Sequence, residues 1–212
     1  MLITIVIAPT LNIQPDVEFG SGMGLFIMLQ QLLLGLSMGF AMRLVFSAVE
    51  MGGELMGMQM GLGFASFYDP VNATNTQVIA QFLGIIAILA LLNMNGHLYM
   101  LETLAEGFHV FPISTQIPAA SAMHKLALWG GSIFSQALRL SLPLIGVLLI
   151  TNLALGVLTR SAPQLNIFAI GFPITLGIGL VALFLTLPYF APLLEMYTQA
   201  GQDVMLRIAK EF

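Results

Sequence analysis

Residues 142–173 read LPLIGVLLITNLALGVLTRSAPQLNIFAIGFP. An apolar helix runs toward Thr159. A turn follows around Arg160, Pro163, Gln164 and Asn166, and the chain returns through Gly171, Phe172 and Pro173. Residues 140–159 carry no charge, and neither do residues 161–194. A helix needs about 20 apolar residues to cross a hydrocarbon core. The first run suits one such helix. The second is too long for one simple span, and its Pro173, Pro188 and Pro192 predict a break or kink.

The same pattern extends toward the N-terminus. Residues 19–42 form an uncharged run that suits one helix, and 70–101 form one too long for a single span. Residues 126–142 are a further apolar helix candidate, which Pro143 should kink against the next. Of the 212 residues, 58% are hydrophobic and only 8% charged, against about a quarter charged in an ordinary soluble domain. So few charges cannot cover a soluble surface, so the natural surroundings are lipid or a large hydrophobic partner. The formal net charge of −4, with no basic patch, argues against nucleic acid. The absence of cysteine excludes disulfides and thiolate chemistry.

Residues 1–8, MLITIVIA, are apolar but too short to span, and they lack the positive region of a signal peptide. They read as the last turns of a helix whose beginning is absent, or as a short interfacial stub. Arg160, Arg207 and Lys210 favour a cytoplasmic side for the connection and the C-terminal tail by the positive-inside rule.

Charges inside the apolar helices are few. Arg43, Glu50 and Glu54 are spaced by seven and four, which at about 100° per residue sets them within roughly 40° on one face. They form a buried polar seam, either facing a pore or another subunit or paired internally as an anchor. Arg139 has a similar seam in Ser132, Ser135 and Gln136, where a hydrogen-bonded packing face is the expectation. Gly53, Gly57 and Gly61 make two overlapping GxxxG motifs, and Gly35 with Gly39 a third. Glycine at this spacing lets helices pack closely.

Enzymatic chemistry finds no support. HExxH, GxSxG and Walker motifs are absent. His97, His109 and His124 lack metal-ligand spacing, Glu102 with Glu106 is a commonplace helical pair, and neither a metal nor a cofactor is expected.

Three stretches carry a family resemblance: GELMGMQMGLGFASFYDP at 53–70, NGHLYMLETLAEGFHVFPI at 95–113, and the opening stretch at 142–173. In order and content they resemble the FliR family, the export-gate subunit of flagellar type III secretion, whose injectisome counterpart is SctT. Family members carry further N-terminal helices. The resemblance implies an all-α fold of hydrophobic membrane-associated helices and helical hairpins, functional only within a multi-subunit helical assembly. It implies a FliP-like portion at 23–139, a FliQ-like hairpin at 140–194 with its tip at Ser161–Asn166, and a short tail at 195–212. The partners implied are FliP, FliQ and FlhB, unfolded flagellar export substrates and membrane lipid. The location implied is the bacterial inner membrane, at the flagellar basal body.

The resemblance also gives a role to residues 51–70, where four methionines and five glycines fall in the first thirteen positions. The corresponding family loop is held to plug the pore, which assigns the plug to Phe64, Phe67 and Tyr68, ended by Asp69 and Pro70. Met56, Met58 and Met60 either join a methionine gasket or pack against neighbouring subunits. Methionine is unbranched and adaptable, suited to closing around varied surfaces. Three other readings stand beside this one. They are an injectisome SctT-type subunit, a small-solute secondary transporter with Arg43 and Glu50 as coupling pair, and a purely structural ring-closing subunit.

Overall fold

The computed structural model describes residues 21–64, 78–110, 120–162 and 167–211. Every element among them is a helix: α1 (Gly22–Gln59), a 3-10 turn (Leu62–Phe64), α2 (Val78–Asn93), α3 (Gly96–Val110), α4 (Ala120–Ser161) and α5 (Ile167–Glu211). Three of these are long and apolar enough to cross a membrane, and the bent pair α2–α3 makes up to a fourth. At about 1.5 Å per residue, helices of 38, 42 and 45 residues far exceed the roughly 30 Å hydrocarbon core.

Several sequence expectations change here. Pro143 does not divide two helices, because α4 runs through it unbroken. Nor do Pro173, Pro188 and Pro192 break α5, which also continues through the expected C-terminal tail to Glu211. A proline removes one backbone donor and leaves a carbonyl four residues back unpaired. The carbonyls so freed are those of Arg139, Ala169, Phe184 and Pro188, and the hydroxyls nearby bond other carbonyls of the same helices. Ser141 bonds the Leu138 carbonyl at 3.3 Å, Thr175 reaches that of Gly171 at 3.1 Å, and Thr186 bonds that of Leu183 at 2.9 Å. Membrane-type helices tolerate proline because neighbouring helices and small local adjustments make up for the one lost bond.

The run at 70–101 resolves into two helices bent by 70°. Asn95 turns the chain at φ 55°, and its carbonyl accepts the Leu98 amide at 2.9 Å. A Cβ at Gly96 would meet Leu91 Cδ1 at 2.5 Å, so a glycine is needed directly after the turn.

Two compact units organise the packing, and α1, α4 and α5 contribute to both. The first draws on Met1–Val45, Leu91–Ser132 and Met196–Phe212. In it α1 meets α3 and α5 through methionine set over glycine. A Cβ at Gly107 would lie 3.2 Å from Met38 Cε, and one at Gly201 only 2.8 Å from Met42 Sδ. The sole tryptophan, Trp129 of α4, donates its indole N–H to the Ala41 carbonyl of α1 at 3.0 Å. Lys125 and Glu211 form an ion pair between the start of α4 and the end of α5.

The second unit, Phe46–Ala90 with Ile133–Glu195, holds the larger core. Val49, Met56 and Met60 of α1, Ile79, Leu83 and Ala87 of α2, Leu144 and Leu148 of α4, and Ala182, Leu183, Phe190 and Leu194 of α5 are all buried there. Outside these cores the helices remain apolar. Leu32 and Leu36 on α1, Ile150 and Leu153 on α4, and Phe184 and Tyr189 on α5 are exposed. A helix apolar on all sides needs lipid or further protein around it.

Candidate functional site

The candidate site grows from the last two turns of α1. Glycine here lets α1 and α2 touch backbone to backbone. A Cβ at Gly53 would stand 2.6 Å from Ala80 Cα and 2.9 Å from its amide nitrogen. On the adjacent face a Cβ at Gly52 would meet Leu140 of α4 at 2.9 Å. Gly57 is looser, with Ile79 and Leu62 both at 3.8 Å from its Cβ position. Gly61 lies past the end of α1 at φ 85°, where the amide of Met60 still bonds the Met56 carbonyl and that of Gly61 the Met58 carbonyl. Of the three-glycine row, then, Gly53 makes the close helix contact and Gly61 serves the turn, where a side chain would be strained.

The three methionines separate in the same way. Met56 and Met60 are buried in the core of the second unit, while Met58 is 55% exposed. Met60 fills a notch on α5, where a Cβ at Gly179 would fall 2.6 Å from Met60 Cγ. Of the gasket candidates, only Met58 offers its side chain to anything beyond this chain.

After Gly61 the chain forms the Leu62–Phe64 turn. This turn brings Phe64, the first plug candidate, to the end of the described segment. Phe67, Tyr68, Asp69 and Pro70 lie outside the described residues, as do Pro163, Gln164 and Asn166 of the hairpin tip. Arg160 stands exposed on the last turn of α4. In the seam, Arg43 and Glu54 are exposed and Glu50 is half-buried, its Cγ beside Gly84 of α2. All three take part in polar or electrostatic contacts. In the second seam Gln136 is buried and Arg139 exposed.

Sequence spacing missed Gly52, Gly107, Gly179 and Gly201, each of which would carry a Cβ closer than 3.4 Å to a neighbour. Lone glycines in long apolar runs are the signal that could have found them. Among the described residues no cluster of His, Asp or Glu has the form of a metal site.

Long apolar helices, glycine-mediated packing and an apolar outer surface define a helical membrane-type protein. The chain belongs to the bacterial export proteins, family 1, the family of the flagellar biosynthetic protein FliR, and the family's profile matches residues 1–201. It is similar to the FliR of Pectobacterium carotovorum subsp. carotovorum, 47% identical over 195 residues, 92% of this chain and 74% of that one. It is 44% identical over the same length to the FliR of Escherichia coli (strain K12). The FliR of Aquifex aeolicus (strain VF5) is 35% identical over 161 residues, 76% of this chain and 62% of that one.

Proposed function

We propose that this chain is a subunit of the flagellar type III protein export gate. With FliP and FliQ it forms the channel through which unfolded export substrates leave the cytoplasm, with FlhB docked on the assembly. The observation that carries this reading is the 47% identity to a flagellar biosynthetic protein across 92% of the chain. The apolar surface of α1, α4 and α5 supports it, because residues such as Leu32, Leu153 and Phe184 need partner helices or lipid around them. The length of those helices supports an assembly in the bacterial inner membrane whose parts extend beyond the hydrocarbon core.

Within the assembly, Phe64, Phe67 and Tyr68 plug the channel at rest, and Asp69 and Pro70 end the plug. Met58 contributes to the seal beside it. Arg43 and Glu54 meet polar groups of partner subunits, and residues 140–194 act as a FliQ-like hairpin. The activity is passage and sealing, without catalysis. The reading is tested by co-expressing the chain with FliP and FliQ and isolating the complex. A stable complex that restores flagellin export to a strain lacking its own FliR is the expected outcome. Failure to associate with either partner would overturn it.

A further inference from the structure

We infer that Gly179 and Thr175 of α5 form a clasp on Met60 that positions the Leu62–Phe64 turn. The inference rests on the plug reading above, because Phe64 is the plug's first residue.

Met60 is the last core residue before the chain leaves α1. It is wholly buried, although it stands in a turn one residue past the helix. Its side chain lies along α5 at a place where a missing Cβ leaves room. A Cβ at Gly179 would stand 2.6 Å from Met60 Cγ, 3.0 Å from Cε and 3.2 Å from Sδ. Three atoms of one flexible side chain thus follow the surface of a single glycine. Gly177, two residues earlier and nearly opposite on the helix, would meet nothing within 4 Å.

Thr175 lies one helical turn from Gly179 and is buried. Its hydroxyl is 3.0 Å from the Phe172 carbonyl, 3.1 Å from that of Gly171 and 3.5 Å from that of Met60. A hydroxyl has one proton to donate. Thr175 therefore gives its donor chiefly to its own helix, and the Met60 carbonyl, just past the end of α1, lies at the outer edge of its reach. Directly after Met60, Gly61 takes φ 85° and the 3-10 turn begins. With the side chain seated in the Gly179 notch and the carbonyl beside Thr175, the direction in which the chain leaves toward Phe64 is set there. The other methionine-on-glycine contacts lie within continuous helices and hold no turn.

The test uses the full chain assembled with its partner subunits and reconstituted into vesicles, with leak of ions or a small dye as readout. Gly179→Val fills the notch and should raise the leak about tenfold or more, since overpacking biases the turn away from its resting position. Met60→Ala, which empties the notch, should leak as well, whereas Gly177→Val, which meets nothing within 4 Å of its Cβ position, should stay tight, a difference that general damage would not produce. An assembled Gly179→Val complex as tight as wild type, while deletion of Phe64 to Tyr68 leaks, would overturn the clasp and leave the plug reading standing. If the deletion also stays tight, the plug reading fails and the clasp with it. Should Gly179→Val not assemble, Met60→Cys with Gly179→Cys replaces it. The 2.6 Å approach places the two Cβ atoms within disulfide reach, in a chain with no other cysteine. That variant should leak when reduced and seal when oxidised. Equal tightness in both states, with the crosslink demonstrated, would refute the inference.

Discussion

Replacing Gly53 by alanine should destabilise the protein, although alanine is the better helix former. In an exposed helix the change would gain about 1 kcal/mol. At Gly53 the new methyl would stand 2.6 Å from Ala80 Cα and must reach at least 3.4 Å to sit in ordinary contact. The obstruction is backbone, so no side chain can turn aside. The segment of α2 that carries Ile79 and Leu83 must move away from α1, and both residues belong to the buried core. Overpacking of this kind costs about 1–3 kcal/mol, and more where a helix has to shift. Because the obstruction is backbone, the upper part of that range, about 2–3 kcal/mol, applies, and with the propensity gain of about 1 kcal/mol set against it a net loss of about 1–2 kcal/mol is expected. For a chain of this size that lowers the apparent melting temperature by roughly 2–8 °C. Gly57→Ala is the control. Its Cβ would find Ile79 and Leu62 at 3.8 Å, so it should be neutral or slightly stabilising. The assay is the thermal stability of the detergent-solubilised complex, followed by the fraction remaining assembled. A Gly53→Ala protein as stable as Gly57→Ala would refute the packing argument.

Two further outcomes are expected. Trp129→Phe keeps an aromatic ring, though a smaller one, and removes the donor to the Ala41 carbonyl, and should lower stability by at least about 0.5–1.5 kcal/mol in the same melting assay. If residues 140–194 act as a FliQ-like hairpin, Gln164→Cys should crosslink to FlhB in cells, and crosslinks only to proteins outside the cytoplasm would contradict that placement.

The helical class was legible because it depends on long uncharged runs, a property summed over many residues. What depends on a single neighbour was not. Proline predicts interruption by a local rule. Nothing in the spacing of Pro143 or Pro188 reveals that the helix continues through each of them. Gly53, Gly57 and Gly61 are alike in sequence but differ in what a Cβ would meet or what φ the chain takes. The methionines were partly readable. Met56 and Met60, four apart, share a face at about 100° per residue, while Met58 points nearly opposite. That spacing fits the burial of the first two and the exposure of the third. The partner of Met60 was beyond reach, because Gly179 lies more than a hundred residues away in sequence and only the fold joins them.

The most direct test of the central claim is the conductance of the reconstituted complex with Phe64 to Tyr68 deleted. Burying one such phenylalanine contributes about 1.5–3 kcal/mol, enough to bias the channel shut and small enough for an arriving chain to overcome. The deleted chain should still assemble with FliP and FliQ, and the complex should pass ions at rest where the intact one does not. A deleted complex that assembles and remains as tight as the intact one would place the seal in another part of the assembly.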